Sequence, residues 1–305
     1  MLGRTLNHSG WDGNNFSTIL GMNNINISLG LVDSFPAVAN RYVYVLDNFG
    51  NFFQLNASNV SQQITSFTLR GDTTRCSPAV TKDYAYVGGF VLGIGFTFYQ
   101  LNASDISQQI ANYSIRIGYS SPAVDNGYVY IGSKDNNVYQ LNATNISQLI
   151  AYYPTGGAVD SSPAVANGYV YIGSNTNLYQ LNATNISQQI ANYTLVSSGS
   201  SPAVANGYVY VGSEDHNLYQ LNATNISQQI ANYTSLGRII SSPAVANGYV
   251  YVGSEDHNLY QLNATNICCI ELINIIIFAS NINVTISYCR RRKNDISSSI
   301  IGNSL

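Results

Sequence analysis

Charge is scarce in this sequence. Only 9% of its 305 residues are Asp, Glu, Lys or Arg, against about 25% in a typical soluble domain. With a formal net charge of -3 there is no basic footprint, so nucleic acid is not an expected partner. Cysteine is nearly absent from the body of the chain: apart from Cys76, the others (Cys268, Cys269 and Cys289) fall in the last 40 residues. That distribution makes no disulfide framework and leaves the redox compartment open. The opening MLGRTLNHSG lacks a basic segment followed by an apolar run, so no cleavable leader is expected. No Gly-rich phosphate loop, Ser/His/Asp arrangement or Cys/His zinc spacing occurs. No stretch keeps a 3.6-residue apolar period, which argues against helical arrays.

What the chain does have is self-similarity. Pro-Ala-Val begins at Pro36, Pro78, Pro122, Pro163, Pro202 and Pro243, at intervals of 42, 44, 41, 39 and 41 residues. The fifth and sixth copies share SSPAVANGYVYVGSEDHNLYQLNATNI almost without a break. A period near 40 belongs to propellers or helical repeats, and the residue chemistry selects the former. In the fifth copy, Tyr208 to Gly212 and Asn217 to Leu221 are β-branched and aromatic runs of strand length. Asn206-Gly207 before the first run is a hairpin signal, and Glu214-Asp215-His216 between the two is a tight turn. Asn-Ala-Thr-Asn follows as another turn, and Ile226 to Thr234 reads as a last strand. The unit is therefore four antiparallel strands, A to D, and the fold class is an all-β propeller of four-stranded blades. Proline in strand A fits a sheet edge that lines a central channel, where its missing N–H costs nothing. Tyr-Val-Tyr-Val is apolar on both faces, as a strand between two neighbouring blades requires.

These residues resemble the pyrroloquinoline-quinone-type propeller repeat, approximately S-S-P-A-V-x-x-G-x-V-Y-V-G-S-x-D-G-x-L-Y-A-L. Ser201, Pro202, Ala203, Val204, Gly207, Val209, Tyr210, Gly212, Ser213, Asp215, Leu218, Tyr219 and Leu221 match it. His216 stands where the motif has its turn glycine, and Asn136 does so in the third copy. The start Gly3 to Gly10 is similar to the family's opening segment, and the resemblance covers about residues 3 to 264. It departs in two ways: Trp11 is the only tryptophan, so the family's tryptophan-docking element is missing, and Asn-Ile-Ser replaces Gly-Lys after strand C. The family includes quinone-dependent dehydrogenases, an outer-membrane assembly lipoprotein and surface proteins, so the resemblance implies a fold and leaves the chemistry open.

In the quinone enzymes a vicinal disulfide stacks the cofactor, which draws attention to Cys268-Cys269. Here that pair interrupts the last repeat with no comparable ligand set around it, and no cofactor is expected. Glu214-Asp215-His216 and Glu255-Asp256-His257 combine carboxylate and imidazole, but in turns of separate blades that need not converge on a metal. Asn142, Asn145, Asn182, Asn185, Asn192, Asn222, Asn225 and Asn232 each head an Asn-x-Ser/Thr sequon. These are either glycan acceptors or the product of duplicating an Asn- and Thr-rich unit. Beyond Ile267 the composition changes: an apolar run containing Glu271, Asn274, Asn281 and Asn283 ends in Arg290 to Lys293. Those polar groups are costly in hydrocarbon, so a degenerate strand and a poorly packed end are expected over residues 268–305 rather than a membrane anchor.

The domain reading is a propeller over residues 1–267, six-bladed, or seven- or eight-bladed if further segments contribute. Ser17 to Ser28 is expected to supply the strand beside Asn258 to Leu262 that closes a six-bladed ring. Near-identical blades favour a binding surface over an active site, because catalysis needs different residues from different blades to meet once. The leading expectation is a monomeric, non-enzymatic module binding a protein or glycan outside the cell, at its surface or in a periplasm-type compartment. A quinone-dependent dehydrogenase or its degenerate relative, and a structural surface-layer component, are the alternatives. Most of the charge maps to B–C turns (Lys134, Asp135, Glu214, Asp215, Glu255 and Asp256, with His216 and His257) and to D–A loops (Arg116, Asp160 and Arg238). That rim is the expected partner-binding face, and the Asn-rich A–B and C–D turns form the opposite one.

Overall fold

A computed structural model describes residues 26–69, 76–91, 95–196 and 199–268. Among these residues there is no helix, and the strands form five four-stranded sheets and one three-stranded sheet, each an antiparallel meander. Blade five shows the unit: strand A is Ala203–Ala205, B Tyr208–Gly212, C Asn217–Asn222 and D Asn225–Thr234. The last sheet, Ala244–Ala246, Tyr249–Gly253 and Leu259–Asn263, holds strands A to C.

The turns follow from residues that tolerate positive φ. Asn206 and Gly207 sit at φ 53° and 81°, the left-handed pair that a two-residue hairpin turn demands. In the B–C turn, His216 and His257 adopt φ 71° and 69°, and Asn136 adopts φ 71°. These residues occupy the glycine position of the repeat, which explains their presence there without any chemistry of the imidazole.

Alternation within strand B divides each blade between two neighbours. Val209 and Val211 pack with Tyr171, Leu178 and Leu195 of blade four, whereas Tyr210 and Leu218 pack with Val250 and Val252 of blade six. Five such clusters each join one blade to the next, and full burial of each aliphatic side chain is worth about 1.5–3 kcal/mol.

Polar groups inside these interfaces repeat as faithfully as the apolar ones. The strand-B tyrosine hydroxyl donates to the alanine carbonyl of the next blade's C–D turn: Tyr44 to Ala103, Tyr86 to Ala143, Tyr130 to Ala183, Tyr171 to Ala223 and Tyr210 to Ala264. The strand-C glutamines Gln54, Gln100, Gln140, Gln180 and Gln220, all fully buried, donate Nε2 to the same carbonyls at 2.9–3.1 Å. Their Oε1 atoms accept the N–H of Ile106, Ile146, Ile186, Ile226 and Ile267 at 3.0–3.3 Å. At the channel, residues 35, 77, 121, 162 and 201 each donate their N–H to the next blade's serine hydroxyl, Ser77, Ser121, Ser162, Ser201 or Ser242, at 2.8–3.0 Å. The burial of these amides is tolerable because both ends of each are satisfied.

The expected closing strand, Ser17 to Ser28, lies mostly outside the described residues, and its described part, residues 26–28, is not in a strand. Gly3 to Gly10, Trp11, Cys269, Cys289 and the rest of the segment after Cys268 also lie outside them.

Candidate partner-binding face

Backbone hydrogen bonds fix which loops share a rim. The A–B and C–D turns are tied together, as in Ala143 N–H to Gly127 O, Ala183 to Gly168 and Ala223 to Gly207, each at 2.9 Å. The D–A loops are tied to B–C turns: Lys134 N–H donates to Arg116 O, Glu214 to Val196 O and Glu255 to Arg238 O, at 2.8, 3.1 and 2.9 Å. The two-rim division expected from the sequence is therefore present.

The structure brings some of the candidate residues together and assigns others to the scaffold. Arg238, in the loop between blades five and six, bridges Glu255 at 2.6 Å and Glu214 at 3.3 Å. Lys134 sits over the Tyr119 ring, 4.5 Å from its centroid, and Asp160 Oδ1 accepts the Tyr119 N–H at 3.2 Å. Asp135, Asp215 and Asp256, by contrast, hold their own turns. Asp215 accepts the Asn217 N–H at 3.1 Å and the Tyr219 hydroxyl at 2.5 Å. Asp135 accepts from Asn137 and Tyr139 at 3.1 and 2.8 Å, and Asp256 from Asn258 and Tyr260 at 3.1 and 2.6 Å. Burial, and then donation to these carboxylates, raises the pKa of Tyr139, Tyr219 and Tyr260 above the ordinary phenol value. Burial disfavours the charge on Asp256, but hydrogen bonds from Tyr260, Asn258, Ser254 and Leu236 outweigh it and hold the pKa below the usual carboxylate range. Turn integrity thus already accounts for the aspartate carboxylates, which hold their own turns, and for the backbone positions of the two histidines.

Sequence reasoning overlooked the apolar residues of this rim. Phe49, Tyr119, Val196, Leu236 and Ile240 are exposed, and each lies in a B–C turn or D–A loop. Leu236 is 86% exposed and Val196 60%. Among the described residues no exposed large hydrophobic side chain lies in an A–B or C–D turn. The signal was present in the sequence, in the segments between strand D and the next Ser-Pro-Ala-Val, where the copies differ.

The Asn-rich rim is built from Asx turns. Asn142, Asn182 and Asn222 accept the N–H and hydroxyl of Thr144, Thr184 and Thr224 at 2.9 and 2.8 Å. Their Nδ2 groups donate to Gln148, Gln188 and Gln228 at 2.9–3.0 Å. Asn145, Asn185 and Asn225 accept likewise from Ser147, Ser187 and Ser227 at 3.1 and 2.7 Å. Asn192 is exposed on strand D, and Asn232 donates to Asn217 at 3.1 Å.

No three His, Cys, Asp or Glu side chains converge among the described residues, and no described helix is long and apolar enough to cross a membrane. Cys268 is exposed, its thiol against the Asn232 carbonyl on the outer strand of blade five. Cys268 thus lies on the perimeter with no ligand cluster among the described residues, and its neighbour Cys269 lies outside them. Cys76 is buried, and desolvation pushes its thiol up to about 12, so it is inert at neutral pH.

Meandering four-stranded sheets, packed face to face through repeated apolar and amide contacts around an inner row of strand-A edges, define a β-propeller. The family model described as outer membrane protein assembly factor BamB matches residues 11–225 and 181–266, and the chain belongs to this family of PQQ-type repeat propellers. Among solved structures, the computationally designed Ika8 protein is similar with a TM-score of 0.62 at 11% identity, covering 79% of this chain and 73% of that one. BamB from Moraxella catarrhalis is similar with a TM-score of 0.50 at 15% identity, covering 75% of this chain and 84% of that one. Among curated proteins, none matches the chain in sequence.

Proposed function

We propose that the protein is a non-enzymatic propeller that holds a protein partner against its D–A/B–C rim, in a compartment outside the cytoplasm. One observation carries this reading: the exposed apolar loop side chains gather on that rim together with most of the charge, whereas among the described residues the turns of the other rim expose no large hydrophobic side chain and carry only Arg41, Lys82, Asp83, Asp105 and Asp125. Exposed apolar anchors inside a polar surround are the usual composition of a protein-binding patch. Glycan recognition is less well supported, since a sugar is gripped by aromatic platforms and the described loops of the rim expose three aromatic side chains, Phe35, Phe49 and Tyr119. The family's description as an outer-membrane assembly factor supports both a protein partner and a location outside the cytoplasm. The Asn-rich rim is then the solvated side, and its sequons are where any glycan would project.

The test compares affinity capture from the native source by three forms: the wild type, Val196→Ser/Leu236→Ser/Ile240→Ser, and Asn182→Gln/Asn222→Gln. The expected result is a set of proteins retained by the wild type and the asparagine variant and lost from the serine variant. Loss from the asparagine variant alone would reverse the assignment of the faces.

A further inference from the structure

Blade six repeats the full set of interface donors. The Tyr251 hydroxyl, the Gln261 amide and the Ser242 N–H correspond to groups that are hydrogen-bonded across the preceding interfaces, and none of the three donates to a described residue. Leu259 is 57% exposed, whereas Leu218, its equivalent in blade five, is fully buried. A Cβ at Gly212 would lie 2.4 Å from Ile239 O at the start of blade six, and one at Gly132 would lie 2.4 Å from Val159 Cγ1 at the start of blade four. A Cβ at Gly253 would find only its own blade's Ser241, at 3.5 Å. No core cluster among the described residues joins blade six to blade one.

Blade one is poorly fitted to fill the place. The residue before its Pro-Ala-Val is Phe35, where every later blade has the accepting serine, and Val60 stands where the others have isoleucine. The five formed interfaces state what such a face takes: an alanine carbonyl in an Asn-Ala-Ser/Thr turn, an isoleucine N–H and a serine hydroxyl, all on one sheet. We propose that the free face of blade six docks a further blade of this repeat supplied from outside these 305 residues, one with serine before its Pro-Ala-Val. This interface is separate from the D–A/B–C rim.

The probe is a fluorescent peptide of residues 195–234, which carries Ser201, the Ala223 turn and Ile226, titrated into the full chain and followed by anisotropy. Saturable one-to-one binding is expected. Tyr251→Phe/Gln261→Ala in the full chain should weaken it at least tenfold, and so should S201F in the peptide, which imitates blade one. Because Tyr251 and Gln261 donate to no described residue, that double variant should melt at the wild-type temperature. A marked fall in Tm would mean that the chain's own residues already cover the face, and would overturn the proposal. So would absent binding, binding indifferent to both substitutions, or self-association of the full chain abolished by Tyr251→Phe/Gln261→Ala, which would make a second copy the occupant. Binding that appears only after removal of residues 269–305 would assign the face to that segment instead. The Val196→Ser/Leu236→Ser/Ile240→Ser variant should bind the peptide normally, so failure of the rim hypothesis and of this one are separable.

Discussion

Ser200–Ile226 and Ser241–Ile267 are the same sequence, yet they differ in what they bury. Tyr210 and Leu218 are fully enclosed, whereas Tyr251 is half-buried and Leu259 largely exposed. Strands A and B, the hairpin turns and the positive-φ histidine are the same in both, and strand C begins one residue later in blade six. Local structure in this protein is thus written in the repeat, whereas burial is conferred by the neighbour, as expected when each unit covers one face of the next. Val209 and Val250 make the point from the other side, since both face a preceding blade and both are fully buried.

Paired substitutions at twin positions measure that neighbour effect directly. The largest difference is expected at the leucines: Leu218→Ala should cost about 2–5 kcal/mol by opening a core cavity. Leu259→Ala should cost less than about 1 kcal/mol, both read from urea-unfolding midpoints. Equal costs would show that blade six is covered in solution. Next come the glycines. Gly212→Ala forces a methyl group against the Ile239 carbonyl and should lose about 1–3 kcal/mol through overpacking, while Gly253→Ala should stay within about 0.5 kcal/mol.

The tyrosine hydroxyls give a smaller effect and a pH signature. Tyr210→Phe should cost about 1 kcal/mol, because Gln220 still serves the Ala264 carbonyl, and Tyr251→Phe should cost almost nothing. Burial raises the pKa of Tyr44, to about 12, and of Tyr86, Tyr130, Tyr171 and Tyr210. In the unfolded chain these phenols ionise near pH 10, and in the folded chain they stay protonated to higher pH. Their contribution is therefore intact below about pH 10 and is lost as pH rises further, by up to about 1.4 kcal/mol per pH unit for each buried phenol. Circular dichroism melts from pH 8 to 12 should show a plateau and then a fall, which is shallower for Tyr210→Phe and unchanged for Tyr251→Phe.

The smallest effect concerns acid. The pKa of Asp256 is lowered in the folded state, so its contribution is present above the ordinary aspartate value and is lost as pH falls through the folded one. Asp256 also accepts the Leu236 N–H at 3.0 Å. Asp256→Asn should accordingly flatten the acid limb of stability relative to the wild type. An unchanged acid limb in acid titrations would show that these contacts do not matter.

The fold was legible because the repeat carries redundant copies of one message. Tyr208–Gly212 was read to the residue, and strands C and D to within one, since the alternation recurs from copy to copy and Asn-Gly punctuates four of the six. The division of loops between two rims followed from meander topology alone. The binding surface was less legible. Asp215 and His216 drew attention as charged, recurrent residues, yet recurrence is the mark of a turn that every blade must make. Leu236, Ile240 and Val196 occur in segments that differ between copies, where no periodic pattern distinguishes an exposed anchor from a buried spacer such as Ile239. Whether the outer face of blade six is covered was not legible, because Ser200–Ile226 and Ser241–Ile267 are identical.

The tyrosine–glutamine–serine contact has a consequence for how such a gene can change. Because each junction uses the same donors on one side and the same acceptors on the other, any blade that retains both sets can follow any other. Unequal crossing-over within the near-identical stretches would insert or delete a whole period and leave two correct junctions behind it. The protein can thus vary in length by whole units without redesign of its interior, while the irregular loops on one rim diverge independently.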